Sequence, residues 1–204
     1  MYFYITGFGK FFNIVTNPSS VLVNRLPELF EEDWHLAHHE IVTVSIEDCE
    51  TSLSKIYQVV NQNIAQNKGR KHIVINFGVA AARKLFSLEM CGKNIQDFRC
   101  KDERGNQPLN LPIDSQCAVD FVRKTTLDLE KVRDGLKAAG HTAVECSQNA
   151  GEFICNYMYY RNLDYCSACN QTSALFVHIP SFSTIPEEDH VKFAKDLLVE
   201  LAKN

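Results

Sequence analysis

The chain has 204 residues, 45% of them hydrophobic and 23% charged, and a formal net charge of −4 at pH 7. That length supports a proper core within one domain, taken as residues 1–204. The weak negative charge and the lack of a basic tract exclude a nucleic-acid partner, and the short apolar runs exclude a transmembrane span.

The opening "MYFYITGFGKFF" lacks the basic region and small-residue cleavage site of a secretory leader, and Phe3 to Phe8 read as a first strand. "GFGKFFNIVTNPSS" reads as a loop, and Pro18 opens a helix that Pro27 keeps short or bent. In "DWHLAHHE", His35 and His39 have the spacing of a metal-chelating pair on a helix, but no third ligand is near, and a solvated surface is the preferred reading. "EIVTVSIED" alternates as a strand and runs into a helix carrying Leu53, Ile56, Val59, Val60 and Ile64. His72 to Ala80 form a continuous apolar strand, expected at the centre of a sheet. From Ala81 to Cys117 the pattern weakens into a long polar stretch. Then come an amphipathic helix closed by Gly140, a short strand in "HTAVECS", a helix start in "GEFICNYMYYRNL" and a strand in "SALFVHIP". The terminal helix has a possible capping box from Thr184 to Glu187, with His190 on its exposed side. Alternating strands and helices predict an α/β fold of three α/β/α layers on a mostly parallel or mixed sheet.

There are eight cysteines, and without a secretory leader they are expected to be reduced thiols in the cytoplasm. Cys166 and Cys169, in "CSAC", have a zinc or redox spacing, but they sit in what reads as a polar loop with no second ligand pair, so no metal is expected.

Chemistry is expected where strands end. Cys155 follows a strand-to-helix turn through Gly151, where a helix N-terminus favours a thiolate and offers backbone N–H groups to an oxyanion. A buried packing thiol is the competing reading. His178 ends an apolar strand, as either a base or a hydrogen-bonded core histidine. Glu89 lies between Leu88 and Met90, as either an orienting acid or an outward-facing strand residue. The residues alone leave these alternatives open.

Four segments, in order, carry a resemblance. "TGFGKFFNIVTNPSS", "FGVAAARKLFSLEMCGKN", "SQNAGEFICNYMYY" and "ALFVHIP" resemble the pyroglutamyl-peptidase I (pyrrolidone-carboxylate peptidase) family of cysteine peptidases, over nearly the whole chain. "CGKN" and "YCSACNQTS" look closer to its eukaryotic branch. The resemblance implies a phosphorylase/hydrolase-like fold and removal of an N-terminal pyroglutamate (5-oxoproline) from peptides, without a cofactor. It implies Cys155 as nucleophile, His178 as base and acid, and Glu89 as the group that orients His178. Phe8 and Phe11 would wall an apolar lactam pocket, with Phe153 and Ile154 lining the remainder. Lys10, Phe12 and Met90 depart from the family, where Pro, Gly and a basic residue are usual. The competing functions are a lapsed pyroglutamyl-peptide binding module and a nucleoside phosphorylase-like enzyme on a related fold. The oligomeric state is not legible.

Overall fold

The computed structural model describes residues 1–30 and 34–203. The apolar opening forms β1 (Tyr2–Phe8). Asn17 then caps α1 (Pro18–Arg25): its side chain accepts the Ser19 N–H at 3.1 Å, and Pro18 occupies the first turn. Pro27 ends the helix in a 3-10 turn, Leu26–Leu29, as its position predicts. The segment with the histidine cluster is β2 (His35–Val42), not a helix. In a strand, residues four apart are separated by about 13 Å, so His35 and His39 do not chelate together. Ser45 caps α2 (Ile46–Gln66) by accepting the Asp48 N–H at 3.0 Å.

β3 (His72–Val79) is buried along almost its full length. Within the weakly patterned stretch lie β4 (Phe86–Glu89) and β5 (Cys91–Lys93), the latter paired with β6 (Val122–Lys124). They are followed by α3 (Leu129–Ala138), β7 (Val144–Ser147), α4 (Ile154–Ser167), β8 (Thr172–Ile179) and α5 (Glu187–Ala202). α4 runs through Cys166, so the "CSAC" stretch is a helix end and not a loop. Pro186, not Thr184, stands at the start of α5, and no side chain caps that helix. His190 is fully buried rather than exposed: its Nδ1 lies 3.0 Å from the Pro186 oxygen and its Nε2 3.1 Å from the Pro180 oxygen.

The six-stranded sheet has the order β2-β1-β3-β8-β4-β7. β2, β1, β3 and β8 run parallel, and β4 runs antiparallel to β8 with β7 parallel to β4. The sheet is therefore mixed. Side chains alternate between its faces. Ile73, Ile75, Phe77, Leu88, Val177 and Ile179 pack with α1, α3 and α5 in one core. Tyr4, Phe8, Val74 and Phe176 pack with α2 and α4 in the other. These are the three expected layers. Among the described residues, no helix is long and apolar enough to cross a membrane.

Candidate active site

Alternation also places the polar groups. On β8, Val177 and Ile179 belong to the core under α1, α3 and α5, so His178 faces the α4 side. On β4, Phe86 and Leu88 belong to the same core, so Ser87 and Glu89 face the α4 side too. In the antiparallel pairing Ser87 lies opposite His178, and Glu89 lies opposite Phe176. Glu89 and His178 are therefore diagonal neighbours, within reach of long side chains. His178 Nδ1 meets Glu89 Oε1 at 2.8 Å.

α4 lies over this face. Tyr159 anchors it by donating its phenol to the Glu89 carbonyl oxygen at 2.6 Å, and Asn156 receives the Lys93 N–H at 2.9 Å. Upstream, the Asn149 side chain accepts the Gly151 N–H at 3.2 Å, and Gly151 turns the chain with φ +81°. Phe153 then starts the helix with no side-chain cap. Cys155 is thus held in the first turn, partly exposed, among N–H groups that no capping side chain covers.

Gly78 gives the thiol its place. It pairs with His178 in the ladder between β3 and β8. A Cβ on Gly78 would lie 3.1 Å from Cys155 Sγ and 2.7 Å from the Phe176 ring. The sulfur therefore rests over the backbone beside His178, in space that a side chain would fill.

Electrostatics set the resting protonation states. Burial pulls His178 below its ordinary value, with the Arg83 charge in the same direction, although Glu89 pulls it up. Burial pushes Glu89 up, but His178, then the Ser147 hydroxyl and the Arg83 charge, together outweigh that and hold the carboxyl below its ordinary value. Burial and the Glu89 charge push the Cys155 thiol up to about 12, against the positive charges of Arg83 and Arg99 and its own backbone N–H. The site rests as a thiol, a neutral imidazole and a carboxylate. Because Nδ1 faces Glu89, the imidazole presents Nε2 as its proton acceptor.

The aromatic residues singled out in the sequence fall at different depths. Phe11 and Phe153 are partly exposed, with ring centroids 5.1 Å apart. Phe8 is nearly covered and lies 6.4 Å from the Phe176 ring. Ile154 has no exposed surface and packs in the core shared with α2, so in this structure it backs the site rather than lining it. Asn17 and Ser19 fix the Phe8–Phe11 loop: Asn17 Nδ2 donates to the Gly9 oxygen at 2.8 Å, and Ser19 Oγ accepts the Phe8 N–H at 3.0 Å. Phe12 adopts φ +48° and points outward, 76% exposed. Sequence reasoning missed Phe98, packed 4.6 Å from the Phe153 ring, and both arginines. A basic residue in "AAARKLF" or "DFRCKD" looks like any solvated charge, and only the long loops bring it to the site. A separate cavity of about 250 Å³, lined in part by Lys71, Thr126 and Gln171, lies at the amino ends of β3 and β8, away from His178. Among the described residues, no group of histidines, cysteines and carboxylates is placed to hold a metal.

A thiol beside a carboxylate-oriented imidazole is suited to acyl transfer, and the class is that of a cysteine hydrolase. The sequence profile of the pyroglutamyl peptidase family matches residues 1–199, and the chain belongs to that family. It is 28% identical to the pyrrolidone-carboxylate peptidase of Gloeobacter violaceus over 201 residues, 97% of this chain and 88% of that protein. It is 29% identical to that of Vibrio parahaemolyticus over 199 residues, covering 96% and 86% of the two. The structure of a mutant pyrrolidone carboxyl peptidase from Pyrococcus furiosus superposes with a TM-score of 0.84 at 21% identity, covering 100% of this chain and 99% of that one. A pyroglutamyl peptidase I structure from Bacillus amyloliquefaciens gives 0.77 at 25% identity, covering 100% and 97%. These relatives are bacterial and archaeal, and they lend no support to the eukaryotic-branch reading of "CGKN" and "YCSACNQTS".

Proposed function

We propose that the chain removes N-terminal pyroglutamate from peptides through Cys155, His178 and Glu89. The observation that carries this is the buried His178–Glu89 pair, with the Cys155 sulfur resting over Gly78 on the neighbouring strand. The Cys155 thiol attacks the pyroglutamyl carbonyl as His178 Nε2 takes its proton. A base is needed because the resting thiol is protonated at neutral pH. The uncapped N–H groups at the start of α4 face the developing oxyanion. His178 then protonates the departing amine, and the C–N bond breaks to leave a thioester on Cys155. His178 next takes a proton from water, hydroxide attacks the thioester, and pyroglutamate leaves as Cys155 recovers its proton. Glu89 keeps Nδ1 protonated throughout, so that Nε2 takes up and releases the moving proton in each step.

The lactam ring is neutral, with a polar amide edge and an apolar methylene face, and the partly exposed rings of Phe11 and Phe153 suit that face, supported by Phe8 and Ile154 behind them. The departures from the family pattern do not close the site: Phe12 points outward, and Arg83 and Arg99 bring positive charge to the thiol although Met90 cannot. The eight free thiols suit a reducing, cytoplasmic setting. The test is release of a fluorophore from a pyroglutamyl amide by the wild type and by Cys155→Ser. Turnover by the wild type and none by the variant is expected. Full turnover by Cys155→Ser would overturn the assignment, and stoichiometric binding without turnover by the wild type would make the protein a binding module.

A further inference from the structure

Arg83 lies in the turn before β4 and touches two parts of the site at once. One guanidinium nitrogen donates to Glu89 Oε1 at 2.6 Å, and the other donates to the Asn149 carbonyl oxygen at 2.6 Å. The first contact falls on the same carboxylate oxygen that His178 uses. The second holds the turn that leads through Gly151 into α4 and Cys155.

Glu89 needs such a partner. Its side chain has no exposed surface. Its second oxygen, Oε2, makes no hydrogen bond of normal geometry among the described residues, although Ser147, its ladder partner on β7, lies close enough to favour the charged form. With His178 neutral at rest, an imidazole N–H alone would face a buried anion that has no counter-charge. A buried charge is tolerated only when it is paired and hydrogen-bonded. Arg83 supplies the pairing, and among the described residues it is the one cation in an ion pair with Glu89 besides the histidine itself.

We propose that Arg83 is a positioning residue: it fixes the Glu89 carboxylate for His178 and ties it to the turn that carries Cys155. This rests on the assignment of Cys155, His178 and Glu89 given above. A planar, two-armed donor suits two acceptors on different elements, which a lysine ammonium cannot bridge with the same geometry. Arg83 also sets the balance of the imidazolium. By competing for the shared oxygen it keeps Glu89 from holding the proton on His178 too tightly, so that His178 can return it to the departing amine.

The charged groups facing His178 are Glu89 from β4 and Arg83 from the turn before it, and Cys155 of α4 lies over Gly78, the ladder partner of His178. Those facing Cys155 are Glu89, Arg83, Arg99 and the buried Cys49 thiol of α2. Removing the Arg83 charge leaves Glu89 unopposed. His178 then protonates at higher pH, and Cys155 gives up its proton less readily.

The test compares Arg83→Gln and Arg83→Lys with the wild type. In Arg83→Gln, kcat should fall by about 10²-fold, the loss expected for a misplacement near 1 Å, with KM little changed. The acid limb of kcat/KM should move to higher pH. Arg83→Lys should keep the limb near its wild-type position and recover only part of kcat. Peptide-resolved mass spectrometry of iodoacetamide labelling at Cys155, followed against pH, should show the same upward shift in Arg83→Gln. That measurement needs no peptidase activity, so it tests the inference even if the wild type releases no fluorophore. Arg83→Lys carries the test if the glutamine variant fails to fold. A wild-type kcat and labelling profile in Arg83→Gln, full recovery by Arg83→Lys, or a loss confined to KM would overturn the proposal.

Discussion

Gly78→Ala is the sharpest probe of how the Cys155 thiol is seated. The added Cβ would meet the Phe176 ring at 2.7 and 3.0 Å and Cys155 Sγ at 3.1 Å. Ordinary carbon contacts begin near 3.5 Å, so the ring must retreat by roughly 0.8 Å and the sulfur by about half that or more. The ring has little room: Phe176 is fully buried, with His178 at 4.8 Å, Tyr159 at 5.9 Å and Phe8 at 6.4 Å between centroids. Overpacking of this kind costs about 1–3 kcal/mol, against which the gain from a stiffer unfolded chain is about 0.4–1 kcal/mol. A displacement near 1 Å costs about 10²-fold in rate, so half of that predicts a loss of about tenfold in kcat/KM. The net destabilisation predicts a fall in Tm of a few degrees, about 2–4 °C for each kcal/mol at this chain length. Gly9→Ala is the control, because its Cβ would meet only Val42 and Ile41 atoms at 3.7 and 3.8 Å. Fluorogenic turnover and thermal melts of both variants decide the matter. A Gly78→Ala protein with wild-type kcat/KM would refute the seating of Cys155 over β3.

Cys155→Ser should lose turnover by at least about 10⁴-fold while its Tm stays near that of the wild type, which the fluorogenic assay and a melt read together. Glu89→Gln should lower kcat by about 10²–10⁴-fold, and it should destabilise the fold by about 3–5 kcal/mol in urea, because Arg83 is left facing a neutral amide. Phe153→Ala should raise KM by about tenfold with a smaller change in kcat, and a pure kcat effect would remove Phe153 from the pocket. Stability should fall as the solution is acidified. The folded pKa of His178 lies below its ordinary 6.5, so below that pH the unfolded chain binds a proton that the folded chain refuses. Glu89 acts in the same sense below 4.5, and the buried His72 acts alongside His178. Urea midpoints from pH 7 to pH 4 measure the slope, and a His178→Asn variant that loses stability between pH 7 and pH 5 as steeply as the wild type would count against the His178 share.

Much of the architecture follows from local pattern. β1, β3 and β8 are apolar runs, α2 and α3 carry their stripes at helical spacing, and Asn17-Pro18 marks a helix start. The errors have physical causes. The histidine segment satisfies a helical spacing, but as β2 it pairs with β1 along its length, and that tertiary pairing overrides local spacing. His190 looks like a surface residue of α5 until Pro180 and Pro186 offer carbonyl oxygens to both its ring nitrogens. The short strands β4 and β5 lie among polar residues too few in number to show a period. The direction of β4 and β7 was not legible at all, because alternation reports which face a residue takes and not which way its strand runs. That direction matters for the site. Antiparallel pairing puts Ser87, rather than the acid, opposite His178, and so brings Glu89 to the imidazole diagonally.

In the proposed mechanism, the same geometry explains how a protonated thiol, a neutral imidazole and a carboxylate work together. A lone thiol pushed up to about 12 would be inert, and a lone buried imidazole would be a poor acceptor. The two shifts have a common origin in burial beneath α4, and both favour the uncharged thiol–imidazole pair over the ion pair. Proton transfer then creates charge only when a substrate carbonyl is in place to receive the sulfur. At that moment the new imidazolium has Glu89 beside it, and the oxyanion has the start of α4. Charge that is stabilised in the transition state and disfavoured at rest lowers the barrier rather than the ground state. Arg83 belongs to this balance because it neutralises Glu89 before the imidazolium exists. A site with the carboxylate but without the guanidinium would hold a proton on His178 more tightly, and that is the proton the leaving amine needs.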